Sequence, residues 1–238
     1  MRKLLQLSLI IPFLLIGCKK SNVKPAPVVL PTVTINGADY SYVKIGNLYW
    51  TTVNYNGPGG VNYDDSTVNL PAYGKYYTFA EATSITLPTG WRLPTFADFE
   101  NLMNTVGKVD TGVASFHEYP LDSVYSVKLR STTGWGQFNG TNTSGFNALP
   151  AGLYYYQGVI PNSPTWYQKG SSASFWSSTP GPPAVVPTAP AGYSPYTFGF
   201  NSFTSSAKVP GLATILGVSV YYTVDTYYRS SIRFVKDE

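Results

Sequence analysis

The stretch PTGWRLPTFADFENLMNTVG, residues 88–107, decides how the rest of the chain is read. Thr95-Phe-Ala-Asp98 has the form of a capping box, with a hydroxyl at the cap and a carboxylate three residues on. Phe96, Phe99, Leu102, Met103 and Val106 then recur at helical spacing, and Gly107 offers a left-handed stop. Asp98 and Glu100 fall in the first turn, where the helix dipole favours negative charge. Upstream, Thr78-Phe-Ala-Glu81 repeats the cap and predicts a short helix near residues 79–83. Further upstream, the β-forming runs 40–45 and 48–53 flank Gly46-Asn47, which reads as a hairpin with Trp50 on its inner face. Beyond Gly107 the helical period stops. Short β-type runs follow at 125–129, 146–156, 174–178, 196–203, 218–226 and 231–235, separated by Gly, Pro, Ser and Asn. Six prolines between Pro180 and Pro195 predict an exposed loop there and exclude a central strand. Strands, then two helices, then short strands and loops predict an α+β domain.

The N-terminal region carries an address. Arg2 and Lys3 precede an apolar run of 13 residues, Leu4–Ile16, which ends at Gly17 and Cys18. A bilayer-spanning helix needs about 20 residues, so the run reads as a removable signal. Small residues before the chain's single cysteine are similar to a bacterial lipoprotein signal, in which acyl chains such as palmitate are attached to that cysteine. The expected organisation is a signal peptide at 1–17, a tether at 18–32 extended by Pro25, Pro27 and Pro31, and one domain at 33–238. Lipidation of Cys18 would hold the protein in the cell envelope, with the outer membrane the expected site.

Charge excludes one class of partner. Five of the 16 basic residues lie at positions 2, 3, 19, 20 and 24, leaving 11 against 12 acids in the domain. A nearly neutral domain has no electrostatic footprint for nucleic acid.

Catalytic chemistry has little to work with. With Cys18 committed to lipid, the domain has no thiol for disulfides, metal sites or nucleophilic attack. His117 is the sole histidine and reads as a solvated loop residue, and no G-x-S-x-G elbow is present. Glu81, Asp98 and Glu100 already have capping or dipole roles, which leaves no obvious carboxylate pair for glycoside hydrolysis. The expectation is therefore a protein that is not an enzyme and takes no cofactor. One opening remains: Asn62, Asp64 and Asp65 cluster in the Gly-rich loop 56–66, where Ca²⁺ could find oxygen ligands, although a plain polar turn is favoured.

Seven short blocks occur in order: Val43-Lys-Ile-Gly46 with Trp50 and Asn54-Tyr55; Gly74-Lys-Tyr-Tyr-Thr-Phe79; Pro88-Thr-Gly-Trp-Arg-Leu-Pro94; Lys128-Leu-Arg-Ser-Thr-Thr-Gly-Trp135; Gly145-Phe-Asn-Ala-Leu-Pro-Ala-Gly152; Phe175-Trp-Ser-Ser-Thr179; and Ser231-Ile-Arg-Phe-Val-Lys-Asp237. Together they resemble the Fibrobacter succinogenes major paralogous domain, a family of exported bacterial proteins. That resemblance implies a C-type lectin-like fold, distantly similar to sulfatase-modifying (formylglycine-generating) enzymes. It would have two short helices, paired terminal strands and a long loop-rich β region. The enzymes' chemistry relies on cysteines that this domain lacks, so it does not carry over. Family members commonly have cysteines where this chain has Leu87 and Phe234, which implies that these two apolar residues meet in the core. Trp91, Trp135 and Trp176, central to the blocks, are expected to be buried beside Trp50.

Twenty tyrosines and five tryptophans supply flat amphipathic surface. Trp166, next to Tyr167 and outside every block, is the candidate for ligand contact together with Tyr154, Tyr155 and Tyr156. The expected function is a lipid-anchored envelope module that binds a glycan or a protein through aromatic loops. The alternative is a structural subunit of a cell-surface or pilus-like assembly. Exposed aromatics converging on one concave patch would favour the first, and an unpaired edge strand the second.

Overall fold

The computed structural model describes residues 29–66, 72–107, 124–156, 164–167, 169–183, 193–201 and 228–238. Cys18, most of the tether, His117 and the run 218–226 lie outside the described residues.

Two tight turns build the first three strands. Asn36 (φ +49) and Gly37 (φ +81) join β1 (Thr32–Ile35) to β2 (Ala38–Ile45), and Gly46 (φ +66) starts the turn from β2 to β3 (Leu48–Thr51). Positive φ at these positions matches the right-handed twist of the strands. The last strand, β10 (Val235–Asp237), enters antiparallel between β3 and β4 (Trp91–Arg92), giving the order β1-β2-β3-β10-β4. A second sheet has β5 (Leu153–Tyr156) between β6 (Pro164–Tyr167) and β9 (Tyr228–Arg229), and β7 (Ser172–Pro183) pairs with β8 (Tyr193–Asn201). With few helices beside antiparallel sheets, the architecture is α+β.

Both capped helices form as their sequences direct. In α1 (Phe79–Thr83) the Thr78 hydroxyl accepts from the Glu81 amide, and Glu81 accepts from the Thr78 amide at 2.8 Å. In α2 (Phe96–Val106) Thr95 and Asp98 make the same exchange, and Asp98 also takes Arg92 Nη2 at 3.1 Å. Burial pushes the Asp98 carboxyl up, but bonds from Arg92 and from the Thr95 amide and hydroxyl outweigh it and hold the group below the usual carboxylate range. Phe99, Leu102, Met103 and Val106 form the buried stripe of α2. Full burial of each of the larger ones contributes roughly 1.5–3 kcal/mol.

The C-terminus of α2 departs from expectation. Gly107 is extended (φ −169°) rather than left-handed, and Lys128 Nζ donates to the Val106 carbonyl at 2.7 Å, satisfying a helix-end acceptor. Lys128 belongs to α3 (Val124–Leu129), a run read from sequence as strand. Its β-type residues form a helix because Leu129 is buried in the core and α3 packs on α2. Tertiary packing overrides local preference here.

Two more readings are corrected. Residues 146–152, expected to be strand, are irregular: Gly145, Asn147 and Gly152 have φ of +80, +55 and +77, so pairing begins only at Leu153. The proline-rich segment is not all loop. Pro180, Pro182 and Pro183 stand in β7 and Pro195 in β8, where the register slips after Trp176↔Thr197. Proline is tolerated because, among the described residues, this two-stranded sheet is all edge and its pairing there is irregular.

Neighbouring residues on extended segments point to opposite sides, and this divides the core in two. Phe175 and Val235 enter a cluster with Trp50, Phe99, Trp135 and Phe146. Their neighbours Trp176 and Phe234 enter another with Tyr55, Tyr77 and Ile232. Trp50, Trp135, Trp176 and Phe234 are buried, while Leu87 is only half-buried, packed against the cluster that holds Phe234. Among the described residues no helix is long and apolar enough to cross a membrane.

Candidate functional site

The register of the five-stranded sheet sorts its side chains into rows, because directly paired residues share a face. One row, Val43↔Trp50↔Val235↔Arg92, carries the buried Trp50 and Val235. The next, Lys44↔Tyr49↔Lys236↔Trp91, is on the opposite face, with exposed lysines alternating with half-buried rings. Tyr42 lies two residues before Lys44 and so on the same face. Its ring meets Tyr49 edge-on at 5.6 Å and Trp91 at 5.3 Å between centroids.

These rings line a cleft of about 510 Å³, within the range of small-molecule sites. Tyr42, Tyr49 and Lys236 line it together with Trp91 and Pro88 from the β4 side, Pro31, and Thr32, Val33 and Thr34 from β1. The β4 side follows from local chemistry. Pro88-Thr-Gly-Trp91 is a turn closed by the Trp91 amide on the Pro88 carbonyl at 3.0 Å, and Gly90 supplies the required φ of +84 at its third position. The Lys236 stem crosses this turn: a Cβ on Gly90 would sit 3.5 Å from Lys236 Cε.

Trp91, expected in the core, is half-buried: it packs against the core cluster that holds Phe234 and also lines the cleft. It pairs with Lys236, and that row faces away from the buried Trp50. Tyr42, Tyr49 and Lys236 were not singled out from sequence. The hairpin held part of the signal, since mirroring residues about Gly46-Asn47 puts Tyr42, Lys44 and Tyr49 opposite Trp50.

The sequence-predicted ligand residues lie elsewhere. Trp166 is half-buried, with Tyr63, Tyr76 and Tyr154 packed on it at centroid distances of 4.9–5.0 Å. Tyr76 is itself fully buried and donates its hydroxyl to the Ala151 carbonyl. Lys169 sits 4.8 Å over the Tyr63 ring. Trp166 thus packs within an aromatic cluster while staying half-buried. The side chains of Tyr155, Tyr156 and Tyr167 lie outside the described residues.

The loop considered for calcium is a short turn. Asn62 Nδ2 donates to the Ser66 carbonyl at 2.8 Å and Asp64 takes φ +58. The Asp65 side chain lies outside the described residues. Among the described residues no three of His, Cys, Asp and Glu gather as metal ligands.

Residues 43–236 match the Fibrobacter succinogenes major domain. No curated protein and no solved structure matches the chain.

Proposed function

This chain belongs to the Fibrobacter succinogenes major domain family, and we propose that it is a lipid-anchored, non-enzymatic binding module of the bacterial cell envelope. The finer fold reading is C-type lectin-like, with Cys18 carrying the lipid and the folded domain displayed outside the cytoplasm. The observation that carries the reading is the cleft in which Tyr42, Tyr49 and Trp91 converge on one sheet face. Saccharide rings present flat C–H faces that lie well against aromatic rings, and the tyrosine hydroxyls can hydrogen-bond to sugar hydroxyls. A glycan is thus the favoured ligand.

One observation favours the second reading, a subunit of a surface or pilus-like assembly. Strand β1 pairs only with β2 among the described residues, and the exposed Val29 and Leu30 lead into its open edge. A strand from another chain could add there.

The test is a glycan-array screen of the full chain purified in detergent, with Trp91→Ala beside it. Binding to a defined saccharide is expected, weakened at least about thirtyfold (roughly 2 kcal/mol) by the substitution, as for aromatic anchors at other interfaces. A silent array together with co-purification of one envelope protein would promote the assembly reading. Mass spectrometry of the same preparation should find Cys18 acylated at the mature N-terminus. An intact leader with a free thiol would remove the lipid anchor from the proposal.

A further inference from the structure

We propose that the cleft takes an acidic saccharide, with the Lys236 ammonium holding the carboxylate of a uronic acid while its ring lies against the aromatic wall. This rests on the reading of the cleft as a saccharide site and names its substrate class. Among the described residues Lys236 is the one charged residue lining the cleft. Other cations of the same sheet are already engaged: Lys44 pairs with Glu238, and Arg92 pairs with Asp98 and with Asp237 at 3.0 Å. Lys236 shares its row with Lys44, flanked by Tyr49 and Trp91, whereas Arg92 belongs to the opposite face; Lys236 has no ion pair among the described residues.

The two acids that follow Lys236 are paired with other cations, Asp237 with Arg92 and Glu238 with Lys44, while Asp39, bonded to the Thr34 hydroxyl at 2.6 Å, keeps its charge on the β1 side. With 11 basic and 12 acidic residues from position 36 onward, the domain offers no broad basic field. Selection of an anion would have to come from the local cation. A single ammonium matches one negative charge per sugar; as a point charge it would also meet a phosphate, so the choice of a uronate rests on the rings beside it. A neutral sugar would leave the ammonium at the cleft without a counter-charge. Rings for the sugar face and one cation for its acid together describe a uronate.

The full chain in detergent, titrated with polygalacturonate fragments and with their methyl esters, tests this, since esterification removes the charge and keeps the ring. The acid should bind roughly fivefold more tightly at low ionic strength, the strength of one exposed ion pair, and high salt should erase the difference. Lys236→Met should reduce the acid to the level of the ester, Lys236→Arg should keep the preference, and Trp91→Ala should weaken both ligands. Equal binding of acid and ester, still dependent on Trp91, would overturn the acidic preference and leave the saccharide reading standing. Loss of neither ligand on Trp91→Ala would overturn both. Displacement of the uronate by equimolar glycerol phosphate would also overturn the inference, assigning Lys236 to a lipid or phosphate headgroup.

Discussion

Arg233→Ala should destabilise the fold by about 3–5 kcal/mol, the penalty typical of breaking a buried charged network. Arg233 is fully buried, and each part of its guanidinium is used. Nε donates to Asn54 Oδ1 at 2.7 Å, Nη1 to the Thr51 and Phe146 carbonyls at 2.6 and 2.9 Å, and Nη2 to the Asn147 carbonyl at 3.0 Å. The rings of Phe146 and Phe175 lie 5.0 and 5.5 Å from the charge. Burial pulls its pKa down to about 9, which still leaves the group charged at neutral pH. The cation is thus balanced by carbonyl dipoles and ring faces, and no carboxylate is among its contacts in the described residues. Truncation leaves those acceptors buried without a donor and opens a cavity between the clusters. Lysine cannot replace it, because one ammonium has three donors and no rigid fork to span four acceptors. Chemical denaturation of Arg233→Ala and Arg233→Lys measures this. A loss under about 1 kcal/mol for both would show that the network contributes little.

What the sequence made legible follows the range of the interactions involved. The capped helices were readable because cap, first-turn acid and apolar period lie within a dozen consecutive residues, and both boxes close as written. The hairpin around Gly46-Asn47 was readable for the same reason. The Asn36-Gly37 turn carried an equally local signal for β1 but was passed over, and the expected tether ran to residue 32, already inside that strand. The end of α2 was misjudged because its acceptor is satisfied by Lys128, 22 positions away. Leu129 likewise draws a β-type run into α3 through a contact that no local window contains.

The candidate site was mostly hidden for the same physical reason. Tyr42 and Tyr49 come from one hairpin, but Trp91 and Lys236 join them only once the C-terminal strand inserts beside β3. Block membership suggested burial for Trp91, which does pack on the cluster that holds Phe234, but only its pairing partner shows that it lines the cleft as well. Trp166 drew attention by lying outside every block, and its setting is non-local too: Tyr63, Tyr76 and Tyr154 converge on it from three separate segments. Arg233 stood in the closing block between Ile232 and Phe234, an apolar setting that is informative for an arginine.

Trp135→Ala should lower stability by about 3–5 kcal/mol, as for other buried tryptophans, and the loss should be felt first in residues 130–148. That segment has little regular structure, so its order depends on what anchors it. Trp135 is 2% exposed, and its indole Nε1 donates to the Ala148 carbonyl at 2.9 Å and to Ser131 Oγ at 3.1 Å. Its main-chain amide is held by Asn139 Oδ1 at 2.9 Å. The buried Arg130, whose pKa burial lowers to about 10, lies 5.6 Å over the ring. One indole therefore joins both ends of the excursion between Arg130 and Ala148. Phe146, carried by the same segment, packs edge-on against Trp50 at 5.5 Å, behind the sheet whose other face forms the cleft. The Ala148 carbonyl also accepts from the Ser131 amide at 2.9 Å, so Trp135→Phe, which keeps much of the ring and removes only the N–H, should cost closer to about 1 kcal/mol. Hydrogen exchange at the Ser131, Gly140 and Ala148 amides should accelerate in Trp135→Ala before exchange in α2 does. Simultaneous loss of protection throughout would mean that the segment unfolds only with the whole domain. An alanine variant as stable as the parent would show that the indole is not what orders it.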